Sequence, residues 1–218
     1  IHGSDKDNIW AVGYNGYIVY WNGKVWAKQA SSTAIALRGI WAASSKSVYA
    51  VGEAGQILRY NGQKWTQMKS PVKSTLHDVW GWSDTDIWAV GAKGQLYSYD
   101  GTSWSKVGDL LQSITNGVLR AVHSFGPEGP FFAVGDGGET AINKAGVWEG
   151  GNKPSSSALF GVWGASPEEV WAVGNLGTIL RWSQGEWKEW GNSPTPAALY
   201  DIWGRSATEI YAVGQAGL

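Results

Sequence analysis

The chain has 218 residues, with 17 Lys plus Arg against 18 Asp plus Glu, no Cys, one Met, 31 Gly and 16 Trp. A net charge of −1 without a basic run argues against a nucleic-acid partner held by phosphate neutralisation. Zero Cys removes disulfides, thiol catalysis and thiolate-bound metals. No apolar run approaches the roughly 18 residues of a membrane span, so no membrane insertion is expected, and no charged-then-apolar signal segment opens the chain. Charged residues make up 16%, below the roughly 25% of ordinary domains, which describes a turn-rich, aromatic chain rather than a helical enzyme.

One phrase recurs along the chain: Trp10-Ala-Val-Gly13, Tyr49-Ala-Val-Gly52, Trp88-Ala-Val-Gly91, Phe132-Ala-Val-Gly135, Trp171-Ala-Val-Gly174 and Tyr211-Ala-Val-Gly214. Three residues after each Gly stands another, and ten residues further a Trp closes each complete copy, from Trp26 to Trp187. Upstream lies Leu-x-x-Ile/Val-aromatic, as in Leu37 to Trp41 and Leu159 to Trp163. A period of about 40 residues signals stacked supersecondary units. Each unit reads as four short strands, in the second copy roughly 37–43, 47–52, 56–60 and 64–69. Gly-x-x-Gly joins the second strand to the third, with glycines able to supply positive φ, and Asn-Gly or Asp-Gly joins the third to the fourth.

Adjacent large apolar residues, as in Ile87-Trp88-Ala89-Val90, require both faces of a sheet to be buried. A blade held between two sibling blades meets that requirement. The reading is therefore all-β: one β-propeller domain over 1–218 of four-stranded blades with a ~40-residue repeat and an incomplete repeat at each end. Five blades are favoured, closed by strand exchange between the two incomplete ends; six or more are implied if the chain is a fragment.

The phrases Leu-x-x-Ile-Trp-Gly, Ile-Trp-Ala-Val-Gly-x-x-Gly-x-Ile and Asn-Gly-x-x-Trp resemble bacterial propeller repeats of the Asp-box (BNR-like) type. That group includes the photosystem II assembly factor-like propellers and many surface lipoproteins. Tectonin and tachylectin lectin propellers are similar more loosely. The box itself is degenerate: Ser98-Tyr99-Asp100-Gly101-Thr102-Ser103-Trp104 is one residue short between Asp and Gly. The resemblance implies a fold and a binding role, with either a lectin-like or an assembly function, and no active site.

Fourteen of the 16 Trp residues occupy slots shared between copies, where packing of blade on blade accounts for them. Trp82 and Trp190 do not, apart from Phe125 in the slot of Trp82, and they are the candidate ligand platforms. His123 joins them: with His2 it fills the slot of Trp41 and Trp80, on the strand expected to line a central channel. No second ligand at useful spacing supports a metal, and no cofactor is expected. The pairs Asp5/Asp7, Asp84/Asp86 and Glu168/Glu169 share one turn position and read as turn caps rather than an acid–base pair. An arginine triad with a tyrosine nucleophile is not visible, so no enzyme is expected. Between Trp104 and Leu119 the crossing is lengthened within 108–117, on the rim of the Gly-x-x-Gly turns, a position where insertions mark binding faces. The function read from the sequence is a non-catalytic recognition propeller outside the cytoplasm. Its first expected ligand is a carbohydrate; the alternative is a protein partner or assembly role.

Overall fold

The computed structural model describes residues 1–107, 117–126, 129–144 and 146–217. They form five four-stranded antiparallel meanders and one two-stranded sheet, the blades of a β-propeller. Blade 1 runs His2–Asp5, Asn8–Val12, Ile18–Trp21 and Trp26–Gln29; blade 2 runs Leu37–Ser44, Ser47–Gly52, Ile57–Tyr60 and Trp65–Gln67. Blade 3 is Leu76–Ser83, Asp86–Gly91, Leu96–Tyr99 and Trp104–Lys106. Blade 4 is Leu119–Ser124, Phe131–Gly135, Thr140–Lys144 and Val147–Gly150; blade 5 is Leu159–Ser166, Glu169–Gly174, Ile179–Ser183 and Glu186–Glu189. Leu199–Ser206 and Glu209–Gly214 make the two-stranded sheet. Two compact units emerge: Ile1–Ala92 with Leu96–Val107, and Lys93–Gln95 with the chain beyond Val107.

The strand pairing overturns the expected strand exchange. His2 pairs with Trp10 and Asp5 with Asn8, so blade 1 has its own short first strand, and Leu199–Ser206 pairs with Glu209–Gly214 alone.

Blade 2 shows why the sheets need apolar residues in succession. Val48, Tyr49, Ala50 and Val51 are all fully buried. Side chains alternate across a strand, so Tyr49 and Val51 pack toward Val79, Ile87 and Tyr97 of blade 3, while Val48 and Ala50 pack toward Trp10 and Ile18 of blade 1. The second unit repeats the device. Phe132 and Val134 meet Val170, Ala172 and Trp182 of blade 5, and Val173 meets Leu199 and Ile202. Each buried ring or branched side chain contributes about 1.5–3 kcal/mol, so the blade interfaces dominate stability.

The Gly-x-x-Gly turns depart from the sequence expectation in an informative way. The first glycine is extended, with φ of −167° at Gly52, Gly135 and Gly174. The left-handed positions are the second x and the last glycine, as at Ala54 (φ 53°) and Gly55 (φ 69°). The first glycine is required for space. A Cβ on Gly52 would lie 2.2 Å from the carbonyl oxygen of Ala36, which accepts the Glu53 N–H at 3.0 Å. The hairpins between third and fourth strands are capped as their Asx residues suggest: Asn61 Oδ1 accepts from the Gln63 and Lys64 N–H groups, and Asp100 Oδ1 from Thr102 and Ser103.

First strands of successive blades also approach closely. A Cβ on Gly39 would stand 2.7 Å from Asp78 Cα, and one on Gly161 would stand 3.0 Å from Asp201 Cα. Gly52→Ala is expected to destabilise the fold by about 1–3 kcal/mol, because backbone cannot yield to the added methyl. Gly13→Ala, whose Cβ meets nothing within 4 Å, should leave the urea midpoint nearly unchanged. Chemical denaturation of both variants checks the pair.

Candidate functional site

His123 lies opposite Phe132, the register slot expected for it, just as Trp41 lies opposite Tyr49 and Trp163 opposite Trp171. It is 5% exposed, edge-on to Phe125 at 4.9 Å and 6.4 Å from the Trp163 ring. Imidazole is smaller than indole, and Phe125 makes up the difference. Its Cζ would be 2.5 Å from a Cβ on Gly164, a place taken by the Trp41 ring at Gly81 and by the Trp163 ring at Gly204. In this structure His123 is thus enclosed by packing.

Trp82 is 60% exposed at the end of the first strand of blade 3. Trp190 is 41% exposed, its backbone N–H donating to the Ile179 carbonyl at 2.7 Å and its ring edge-on to Trp171 at 5.1 Å. The two occupy opposite ends of the blade repeat: Trp82 beside the turn into the second strand, Trp190 level with the Gly-x-x-Gly turn. The lengthened crossing at 108–117 lies outside the described residues except for Gly117.

Within each unit, side chains that sequence reasoning did not single out stand at the Gly-x-x-Gly end of the blades. The residue after the leading Leu of each first strand reaches this end: Arg38 pairs with Glu53, and Arg120 forms two hydrogen bonds of 2.8 and 2.9 Å with Asp136. Both acidic partners sit in the turn itself. The bidentate pair fixes the guanidinium plane rather than adding much stability, because both groups are about one-third exposed. The Arg120 guanidinium lies 5.9 Å from the Phe160 ring, and Phe160 lies 5.9 Å from Tyr200, which is 53% exposed. In blade 1, Tyr14 covers Arg38 in the same spirit, 5.0 Å from its guanidinium. The signal available in the sequence was the slot's variety, Arg38, His77, Arg120, Phe160 and Tyr200, which mixes cationic and aromatic residues where the packing slot of Trp10 and Tyr49 stays aromatic.

Among the described residues no group of three or more His, Asp or Glu side chains converges as metal ligands would. The paired acidic residues fall in turns, where Asp5 Oδ1 accepts from the Asp7 N–H at 2.9 Å. Among the described residues no helix is long and apolar enough to cross a membrane.

His2 carries the clearest electrostatic perturbation. Its Nδ1 accepts the Ala42 N–H at 3.1 Å, and its ring is edge-on to Trp80 at 5.5 Å. Burial lowers its pKa from 6.5 to about 4.

No protein-family model and no curated protein matches the chain in sequence. Solved structures match it in fold. The RRP9 WD40 repeats are similar over 98% of this chain and 72% of that one, with a TM-score of 0.76 at 10% identity. YCF48 bound to D1 peptide is similar over 99% of this chain and 89% of that one, with a TM-score of 0.62 at 17% identity. YCF48 from Cyanidioschyzon merolae gives 99%, 91%, 0.60 and 16% in the same order. At these identities the likeness establishes the β-propeller fold, the architecture that the Asp-box-type repeat resemblance implies.

Two outcomes follow from the site geometry. A histidine with a depressed folded pKa leaves stability complete above pH 6.5 and loses it as pH falls toward about 4, because the unfolded chain takes up the proton first. The unfolding midpoint is therefore expected to drop across that window, and His2→Phe to flatten the drop. Trp82→Ser should change stability by no more than about 0.5 kcal/mol, as for an exposed side chain, whereas Trp10→Ala should cost about 3–5 kcal/mol. Urea titrations across pH check both.

Proposed function

We propose that this chain is a non-catalytic recognition propeller that captures a protein segment at the Gly-x-x-Gly end of its blades. The contact row is Arg120, Phe160 and Tyr200 of the second unit. The observation that carries this reading is the aromatic pair of partly buried Phe160 and exposed Tyr200, extended by a guanidinium held by two hydrogen bonds to Asp136. Aromatic and Arg side chains are the residue types that dominate binding energy at protein interfaces, since they bring large rigid area at low entropic cost. Rim loops and strand ends on a rigid scaffold are where such contacts are carried. YCF48 bound to D1 peptide supports the reading as an instance of the same fold holding a peptide.

Half of the 16 Trp side chains are consumed in packing. Trp10, Trp41, Trp65, Trp104, Trp148, Trp163, Trp182 and Trp187 are all buried. A carbohydrate ligand remains the second reading, favoured by Trp82, which is 60% exposed, more than by Trp190, whose ring packs on Trp171.

Selection of peptides from a random display library and a glycan array, both on the intact chain, separate the readings. Selected peptides are expected, and Phe160→Ser with Tyr200→Ser should weaken them at least about tenfold while the melting temperature holds. Glycan capture abolished by Trp82→Ala, with no peptide selected, would overturn the protein-segment reading.

A further inference from the structure

We propose a second ligand site, on the opposite end of the second unit from the Arg120–Phe160–Tyr200 row. It is a cleft of about 500 Å³ between blades 4 and 5, suited to an extended protein segment carrying an apolar side chain between an acidic and a basic one. Its floor is the buried pair Phe132 and Trp182, whose rings are 5.4 Å apart, and its walls include Pro130 and Pro167. Lys144 from blade 4 and Glu168 from blade 5 supply the charges.

The cleft lies where a latch seen between blades 2 and 3 is missing. Between blades 2 and 3, the Ser47 hydroxyl donates to the Asp84 carboxylate and ties the two turns together. The equivalent positions between blades 4 and 5 are Pro130, two residues before Phe132 as Ser47 is two before Tyr49, and Pro167, one after Ser166 as Asp84 is one after Ser83. Neither proline carries a side-chain donor or acceptor, and neither has a backbone N–H. The gap therefore stays open, with apolar walls.

A second departure from the repeat arms the cleft with a cation. The residue after the third-strand aromatic caps the following hairpin in blades 1 to 3, as Asn22, Asn61 and Asp100. In blade 4 that duty moves back one residue: Asn143 Oδ1 accepts the Gly146 N–H at 3.0 Å. Lys144 then occupies the cap position with no capping role, and its ammonium rests 5.7 Å from the Trp182 ring. Among the described residues neither Lys144 nor Glu168 has an ion-pair partner. Two opposite, unspent charges on facing blades, separated by an apolar floor, complement a segment with the reversed pattern. Clefts of about 300–1,000 Å³ with an apolar lining and a few polar groups are the usual form of such sites, and charges at their edge select partners more than they add affinity.

The test is calorimetry on the intact protein at low salt with capped pentapeptides. Gly-Asp-Leu-Lys-Gly and its reversed sequence should bind, one of them at least about tenfold tighter than Gly-Asn-Leu-Gln-Gly. Lys144→Glu should transfer the preference to Gly-Lys-Leu-Lys-Gly. Pro130→Ser with Pro167→Asp, which restores the latch, should abolish binding while the melting temperature holds. Phe160→Ser with Tyr200→Ser should leave binding to the cleft unchanged, so this site and the rim stand or fall separately. Absence of binding at millimolar peptide, equal binding of the neutral peptide, undiminished binding to the latched variant, or glycan capture lost in the latched variant would each overturn the proposal.

Discussion

In blades 2 and 5 the sheet is buried on both faces by neighbouring sheets of its own kind. Tyr49 and Val51 look toward one neighbour, Val48 and Ala50 toward the other, and none of the four retains contact with solvent. A strand under that constraint cannot alternate apolar and polar residues, which is why the second strand of each copy reads as an unbroken run such as Val-Tyr-Ala-Val. It also explains why a charged group has so few places to go. The polar chemistry of the molecule is forced to the strand ends and turns, and recognition must happen there.

That division decides what a sequence of this kind discloses. The ~40-residue period, the Asn-Gly and Asp-Gly hairpins and the doubled apolar runs are backbone and packing signals, and the blades appear where they indicate. The role of the first glycine in each Gly-x-x-Gly was harder to read, since a glycine needed for space beside the Ala36 carbonyl looks identical in sequence to one needed for positive φ. The first strand of blade 1 is harder to read, since His2 stands where other copies carry Trp.

Site residues are legible only as exceptions to the repeat, and exceptions are ambiguous. His123 looks exceptional beside Trp41 and Trp163, yet the structure encloses it, with Phe125 two residues on restoring the lost bulk. Trp82 and Trp190 look alike as extra indoles, but Trp190 leans on Trp171 while Trp82 stands clear. The arginine–aromatic row could be found only by asking where a variable slot points, and that requires knowing that Arg38 and Arg120 each reach an acidic residue in the adjoining turn. The proline pair at 130 and 167 carries meaning only beside the Ser47–Asp84 contact it replaces.

The Gly-x-x-Gly turns hold the chain at two places at once. In blade 2 the Glu53 N–H binds the Ala36 carbonyl on the segment entering the blade, while Gly55 lies so close to the Val72 carbonyl on the segment leaving it that a Cβ would stand 2.0 Å away. Blade 5 does the same with Asn175 and Ala158 on entry and Gly177 and Thr195 on exit. A tensile load passed along the polypeptide thus meets a clasp at the threshold of these blades, and slack cannot be drawn from the connecting segments before the clasp lets go. Mechanically, such a molecule resembles a string of buckled links, each yielding as a whole.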